Sequence, residues 1–228
     1  MEPLLLDNHL LAVAKPAGIP VQADRSGDRS LQEEGQVWLK QRFHKPGNVF
    51  LALVHRLDRP VSGVVLFART SKAAARLSAA WREGRVGKRY LAVGRLLPGA
   101  RLQVGETGEL VQHLRKDPAR NRVEVVPPAT PGSRPARTRW RVLQRVGPVV
   151  LFELEPRTGR SHQLRVACAG LGAPLLGDLK YGASRPLPDR SIALHAASLV
   201  FPHPIGGAEI RVEAPLPQGF PERARFSA

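Results

Sequence analysis

Apolar residues fall along this chain in short blocks. VFLALV (49–54) and VVLFA (64–68) are continuous runs of strand length, the pattern of strands covered on both faces. LLAVA (10–14) reads as another strand, stopped by KPAG. Between them, Ser30 and Glu33 have capping-box spacing and predict a helix reaching to about Phe43. Ser71 is placed to cap a second helix over roughly 72–84, stopped near Gly84. KRYLAVGRL (88–96) is strand-like, and the alternating RTRWRVLQRV (137–146) followed by PVVLFELEP predicts a β-hairpin. Ser161 is placed to cap a third helix, with Leu164, Cys168 and Leu171 as its buried stripe and Gly170 or Gly172 as its stop. Further strands are expected around IALHAASLVF (192–201) and AEIRVEAP (208–215). The stretch 98–136, rich in Pro, Gly and Arg, reads as surface loops or hairpins. The sum is an α+β fold with a predominantly β core. Nothing resembling a linker divides it, so a single domain over 1–228, with two packed halves, is expected.

At 228 residues and 43% hydrophobic content the chain can bury a sizeable core. Charge changes the picture more than size does. Lys and Arg number 35 against 19 Asp and Glu, a net charge of +16, with a pI near 11.4. Such a surface attracts polyanions, nucleic acid first among them. One cysteine, Cys168, excludes an internal disulfide and a thiolate metal cluster. No run of about 18 apolar residues is present to span a membrane. The opening MEPLLLDNHL has two acids and no early cation, unlike a signal or transit peptide, so a cytoplasmic protein is expected.

Against this background HRLDRPVSG (55–63) stands out: one acid between two arginines, on a loop between two apolar strands. The plain structural reading is a turn shaped by Pro60 and Gly63 and capped by Asp58, with solvated arginines. The chemical reading is a carboxylate kept ionised by its cations, serving as nucleophile or proton acceptor while phosphates dock around it. His55, a lone imidazole with no second acid nearby in sequence, suits turn packing better than a metal. In EPRTGRSHQLRVACAGLGAPLLGDLKYG (155–182), Arg157, Arg160 and Arg165 gather at a predicted helix entrance, where exposed N–H groups add to anion attraction. Arg165 adjoins the buried stripe and is expected to snorkel or to meet an acid inside the fold. Tyr90 follows two cations and enters a strand; it would ordinarily be core, and beside nucleic acid it could stack on a base or offer its hydroxyl.

Five ordered stretches together resemble the RluA family of RNA pseudouridine synthases over nearly the full chain: DNHLLAVAKPAGIPVQ (7–22), HRLDRPVSGVVLFART (55–70), KRYLAVG (88–94), RTGRSHQLRVACAGLGAPLLGDLKYG (157–182) and LHAASLVFPHP (194–204). The resemblance implies a bent, mostly antiparallel mixed sheet with flanking helices and a central catalytic cleft. It implies Asp58 as catalytic aspartate, Tyr90 as base-stacking tyrosine and Arg165 as the arginine paired with Asp58. It implies an isomerisation of uridine in rRNA or tRNA that needs no cofactor or metal. Val61 stands where the family more often has Thr, Ser161 and Leu164 are conservative changes, and Ala167 replaces a commoner His; none touches the acid, tyrosine or arginine. Only a handful of residues precede the first motif, so the small RNA-binding domain many relatives carry is expected to be absent. His55, Arg56, Arg59, Arg120, Arg122, Arg157, Arg160 and His162 are the expected RNA contacts, in a protein expected to be monomeric. Two other readings compete. A catalytically silent RNA binder would lack one of Asp58, Tyr90 or Arg165. A phosphohydrolase using an Asp nucleophile would want a second acid at position 60, which is Pro.

Overall fold

A computed structural model describes residues 1–221. The chain forms two compact units: Met1–Lys88 with Ala196–Pro217, and Arg89–His195 with 218–221. Its class is α+β, dominated by antiparallel strands. No helix among the described residues is long and apolar enough to cross a membrane.

The first unit holds β1 (Pro3–Leu6), β2 (Leu10–Lys15), α1 (Leu31–Arg42), β3 (Ala52–Leu53), β4 (Ser62–Ala68) and α2 (Ser71–Arg82). The return of the chain adds β10 (Leu194–Pro202), from Ala196 on, and β11 (Glu209–Glu213). Strand order is β1-β2-β4-β10, with β11 on β10 and β3 on β4. Register is antiparallel, Val13 opposite Val65 and Leu53 opposite Phe67. Every residue of β4 is buried, as a strand covered on both faces requires. Leu10, Ala12, Val64 and Leu66 face Ala73, Leu77 and Ala80 of α2. On the opposite face α1 packs over Leu11 and Leu51, so closely at Gly35 that a Cβ there would sit 2.8 Å from Leu51 Cδ2. The Ser30–Glu33 capping box forms with both of its reciprocal bonds. The second helix begins one residue earlier than the sequence suggests, with Thr70 as its cap, accepting from the Ala73 N–H. VFLALV contributes only two residues to the sheet. Its carbonyls at Val49 and Leu51 instead accept from the Gln36 and Gln32 side chains of α1, so the run is an extended segment tied to a helix, with Val49 and Leu51 buried and Phe50 exposed.

The second unit holds β5 (Gly87–Arg95, from Arg89 on), β6 (Thr107–Asp117), β7 (Arg122–Val125), β8 (Arg134–Val146), β9 (Val149–Pro156), α3 (Gln163–Gly170) and a 3-10 turn, Leu179–Tyr181. Its order is β5-β9-β8-β6-β7, with antiparallel register throughout. The expected hairpin is β8–β9, with an irregularity between Val142 and Gln144 where the alternation of Arg and apolar residues breaks. Part of the stretch read as loops or hairpins is the long β6–β7 hairpin. Its outward polar residues, with Gln112 and His113 among the inner ones, mask the strand period. Leu114, Val123, Ala136, Val166 and Tyr181 form a core beneath α3. Ser161 does not cap that helix: its N-cap is His162, in the left-handed conformation (φ 51°), with no side-chain cap bond. Nor is its buried face a stripe, because Gln163 through Cys168 are all buried while Leu171 is the half-buried C-cap.

Candidate active site

The 55–63 loop is held from several sides by its own unit. His55 Nε2 accepts from the Leu66 N–H at 2.9 Å, and its ring stacks on Trp81 of α2, centroids 5.0 Å apart and planes at 15°. Burial, with Lys88 as a second cause, drives its pKa down to about 3, so the ring is neutral and carries its proton on Nδ1. The geometry therefore gives His55 a positioning role inside the fold. The backbone carbonyl of Asp58 closes a turn by accepting the Val61 N–H at 3.0 Å. The carbonyl of Arg59 accepts twice, from the Gly18 N–H at 2.8 Å and from Lys15 Nζ at 3.0 Å. Lys15 is only 1% exposed and also donates to Pro16 O at 2.8 Å. Burial lowers its pKa to about 8 against the opposing pull of the Asp58 carboxylate. Gly63 has φ 123°, and a Cβ there would lie 2.3 Å from the backbone oxygen of Ala196, so only glycine lets β4 leave the loop against β10. Arg56 and Arg59 are exposed. Arg56 Nη1 reaches Gln22 Oε1 at 3.4 Å, and Arg59 bonds Gly18 O and Asp28.

In the second unit Tyr90 lies on β5 opposite Leu154, half-buried. Arg165 makes a bidentate pair with Asp178, Nε to Oδ2 at 2.7 Å and Nη2 to Oδ1 at 2.8 Å, both side chains buried. The guanidinium also sits 5.1 Å from the centroid of Tyr181. Arg122 approaches the same ring at 5.5 Å. Tyr181 Oη accepts from the Val123 N–H at 2.8 Å and lies 2.7 Å from His162 Nδ1. Burial raises the pKa of the phenol, which keeps its hydrogen. Gln163 ties the helix entrance together. It accepts from the Arg160 N–H and Thr158 Oγ1, and donates to Arg137 O and Thr138 Oγ1. Arg122, His162 and Arg165 are thus brought together around Tyr181. The other expected contacts lie apart: Arg160 donates to Pro135 O, Arg157 pairs with Glu155, and Arg120 sits at the β6–β7 turn, 77% exposed and 3.9 Å from Asp117. Cys168 is a buried free thiol whose pKa is pushed up by burial, which leaves it protonated.

Residues 9–170 match the family model described as RNA pseudouridylate synthase. The chain belongs to that family. It is 32% identical over 216 residues to the ribosomal large subunit pseudouridine synthase C of Vibrio cholerae, covering 92% of this chain and 64% of that protein. It is 34% identical over 218 residues to an uncharacterized RNA pseudouridine synthase of Zymomonas mobilis, covering 95% and 94%. The chain therefore spans a little under two thirds of the first relative and nearly all of the second. Among solved structures, human RNA pseudouridylate synthase domain containing 4 superposes with a TM-score of 0.77 at 25% identity, over 96% of this chain and 89% of that one.

The chain carries supporting residues that the sequence did not single out. Lys15 was legible only as part of the KPAG stop. Trp81 is a helix aromatic with no local signal that its ring serves a loop. Asp178 and Tyr181 fall beyond the matched stretch 9–170, within GDLKYG. The one available signal was an acid inside an otherwise basic motif, which is what a buried arginine needs.

Proposed function

We propose that this protein isomerises uridine to pseudouridine within structured RNA, rRNA or tRNA, with Asp58 as its catalytic acid. The observation that supports this most is the family match over 9–170, which contains the HRLDR loop. The backbone of that loop is fixed by Gly18 and Lys15 while Asp58 and its two arginines remain partly accessible. In the reaction the N1–C1′ bond breaks, the uracil turns, and C5 bonds to C1′ with loss of the C5 proton. Atoms and electrons balance within the nucleoside, so the proposal requires no redox partner. The base must leave its stack to be reached. Asp58 starts cleavage either by attack at C1′ or by taking the 2′ proton; RNA deuterated at C2′ separates the two, because only the second breaks that bond. Tyr90 stacks on the flipped uracil and assists removal of the C5 proton. Arg165, itself held by Asp178, completes the set as the arginine serving the acid. Arg56, Arg59, Arg120, Arg122, Arg157, Arg160 and His162 supply phosphate contacts. The whole chain acts as one catalytic domain, a cytoplasmic monomer.

The test is release of tritium from RNA carrying 5-tritiated uridine. The parent chain should release it and Asp58→Asn should not, while the variant keeps its fold and nearly all its RNA affinity. Near-normal turnover by Asp58→Asn would overturn the assignment. Mapping pseudouridines in total RNA with and without the gene identifies the target.

A further inference from the structure

Arg59, the residue after Asp58, has two unlike ends. Its backbone is locked, the carbonyl held by Gly18 N–H and Lys15 Nζ. The side-chain Nε donates to Gly18 O at 2.8 Å, which fixes the plane of the guanidinium. Nη2 then meets the Asp28 carboxylate in an ion pair open to solvent on both sides, 43% exposed at Arg59 and 54% at Asp28. Asp28 belongs to an exposed turn, QADRSGDR (22–29). That turn closes on itself: Asp24 Oδ1 accepts from the Ser26 N–H and hydroxyl, and the Asp28 N–H donates to Ser26 Oγ. Arg56, on the other flank of Asp58, meets the neutral amide of Gln22, at 3.4 Å.

An exposed ion pair contributes little to stability and is readily exchanged. A guanidinium already oriented through Nε, by contrast, is a preorganised fork for a phosphate, whose oxygens match its remaining donors better than one carboxylate does. The anion that meets this fork in the free protein is the chain's own. We propose that Arg59 is a built phosphate site for the RNA backbone beside the target nucleotide, that Asp28 occupies it as a stand-in, and that RNA takes it by displacing the carboxylate. The inference rests on the proposed RNA substrate. It adds a named phosphate contact one residue from the catalytic acid and a residue that holds affinity down.

The experiment measures equilibrium binding of a labelled substrate RNA across a salt series to the parent, Asp28→Asn, Arg59→Ala and the double variant. Removing the stand-in should tighten binding roughly two- to fivefold. Arg59→Ala should weaken binding and make the salt slope shallower by about 0.7–0.9, the loss of one phosphate contact. In the Arg59→Ala background Asp28→Asn should no longer tighten binding. A gain of equal size in both backgrounds makes Asp28 one acid among the others and overturns the proposal. So does weaker binding by Asp28→Asn, which would mean the carboxylate holds Arg59 in its working pose. A parent chain that neither binds nor modifies RNA overturns the functional reading itself, and this inference with it.

Discussion

Acidification should unlock the HRLDR loop through His55. In the folded chain the imidazole is a neutral acceptor for the Leu66 N–H, and its pKa is near 3. In the unfolded chain it is an ordinary histidine near 6.5. Between those values the unfolded state binds one more proton than the folded state, so stability is fully present above pH 6.5 and is lost as pH falls toward 3. The loss is about 1.4 kcal/mol for each pH unit, hence about 3 kcal/mol from this ring alone at about pH 4.5. His55→Gln removes the titration and keeps a polar side chain. Its stability at pH 7 should fall by about 1–3 kcal/mol, because the Leu66 N–H loses its acceptor and Trp81 its stacking partner. Urea unfolding of both proteins from pH 7 to 4.5 isolates the imidazole, since the carboxylates titrate alike in each. The difference between them should shift by about 3 kcal/mol in the variant's favour over that range, which closes or reverses the gap. Parallel stability curves, or an imidazole NMR signal that titrates near pH 6, would refute the reasoning.

Three further outcomes follow from the same geometry. Asp178→Asn and Arg165→Met should each cost about 3–5 kcal/mol, since each leaves the partner of a buried bidentate pair uncompensated; denaturant melts as stable as the parent's would remove the pair from the fold's support. Lys15→Met should lower kcat more than RNA affinity, because the Pro16 carbonyl loses its donor and the Arg59 carbonyl one of its two. With its folded pKa near 8 against 10.5 unfolded, Lys15 should also make the parent gain stability as pH rises from 8 toward 10, at about 1.4 kcal/mol per unit, and the variant should lack that gain. RNA affinity should fall on the order of a thousandfold from about 50 to 200 mM salt if about six phosphates are neutralised; Arg120→Ala with Arg122→Ala should make that slope shallower, and Tyr90→Phe should leave it unchanged.

Elements with a strong period or a complete cap were readable before any coordinates. VVLFA is β4 because a strand covered on both faces needs an unbroken apolar run, and the Ser30–Glu33 box marks α1 because both of its bonds are local. VFLALV misled because its backbone is satisfied by glutamines of α1, a long-range arrangement that an apolar run cannot encode. The start of α3 misled because His162 takes a left-handed turn with no side-chain cap, and the amide of Gln163, one residue on, is turned back to the Arg160 N–H that precedes the helix. Asp58 was legible as a candidate because the acid, its cations and the turn residues are consecutive. Lys15, Trp81 and Asp178 were not, since each acts on a residue between 13 and 44 positions away.

The supports of the Asp58 loop divide by what they hold. The Leu66 N–H on His55, the Lys15 ammonium and Gly18 N–H on Arg59, and the bare Cα of Gly63 against Ala196 all fix ring or backbone positions from strands or from the 16–18 turn. The groups at the ends of Arg56 and Arg59 rest instead on exposed partners in the 22–28 segment. A reaction that must place one carboxylate against a flipped nucleoside, yet accept and release a long polyanion, needs that division. Precise placement of the acid favours the chemical step, and exchangeable cations permit turnover of the RNA. Substitutions at Lys15, His55 or Gly63 should therefore act mainly on kcat and stability, and substitutions at Arg56, Arg59 or Asp28 mainly on affinity and its salt dependence. A kinetic survey in which the two groups of variants showed the same profile would mean that backbone support and phosphate contact are not separable in this loop.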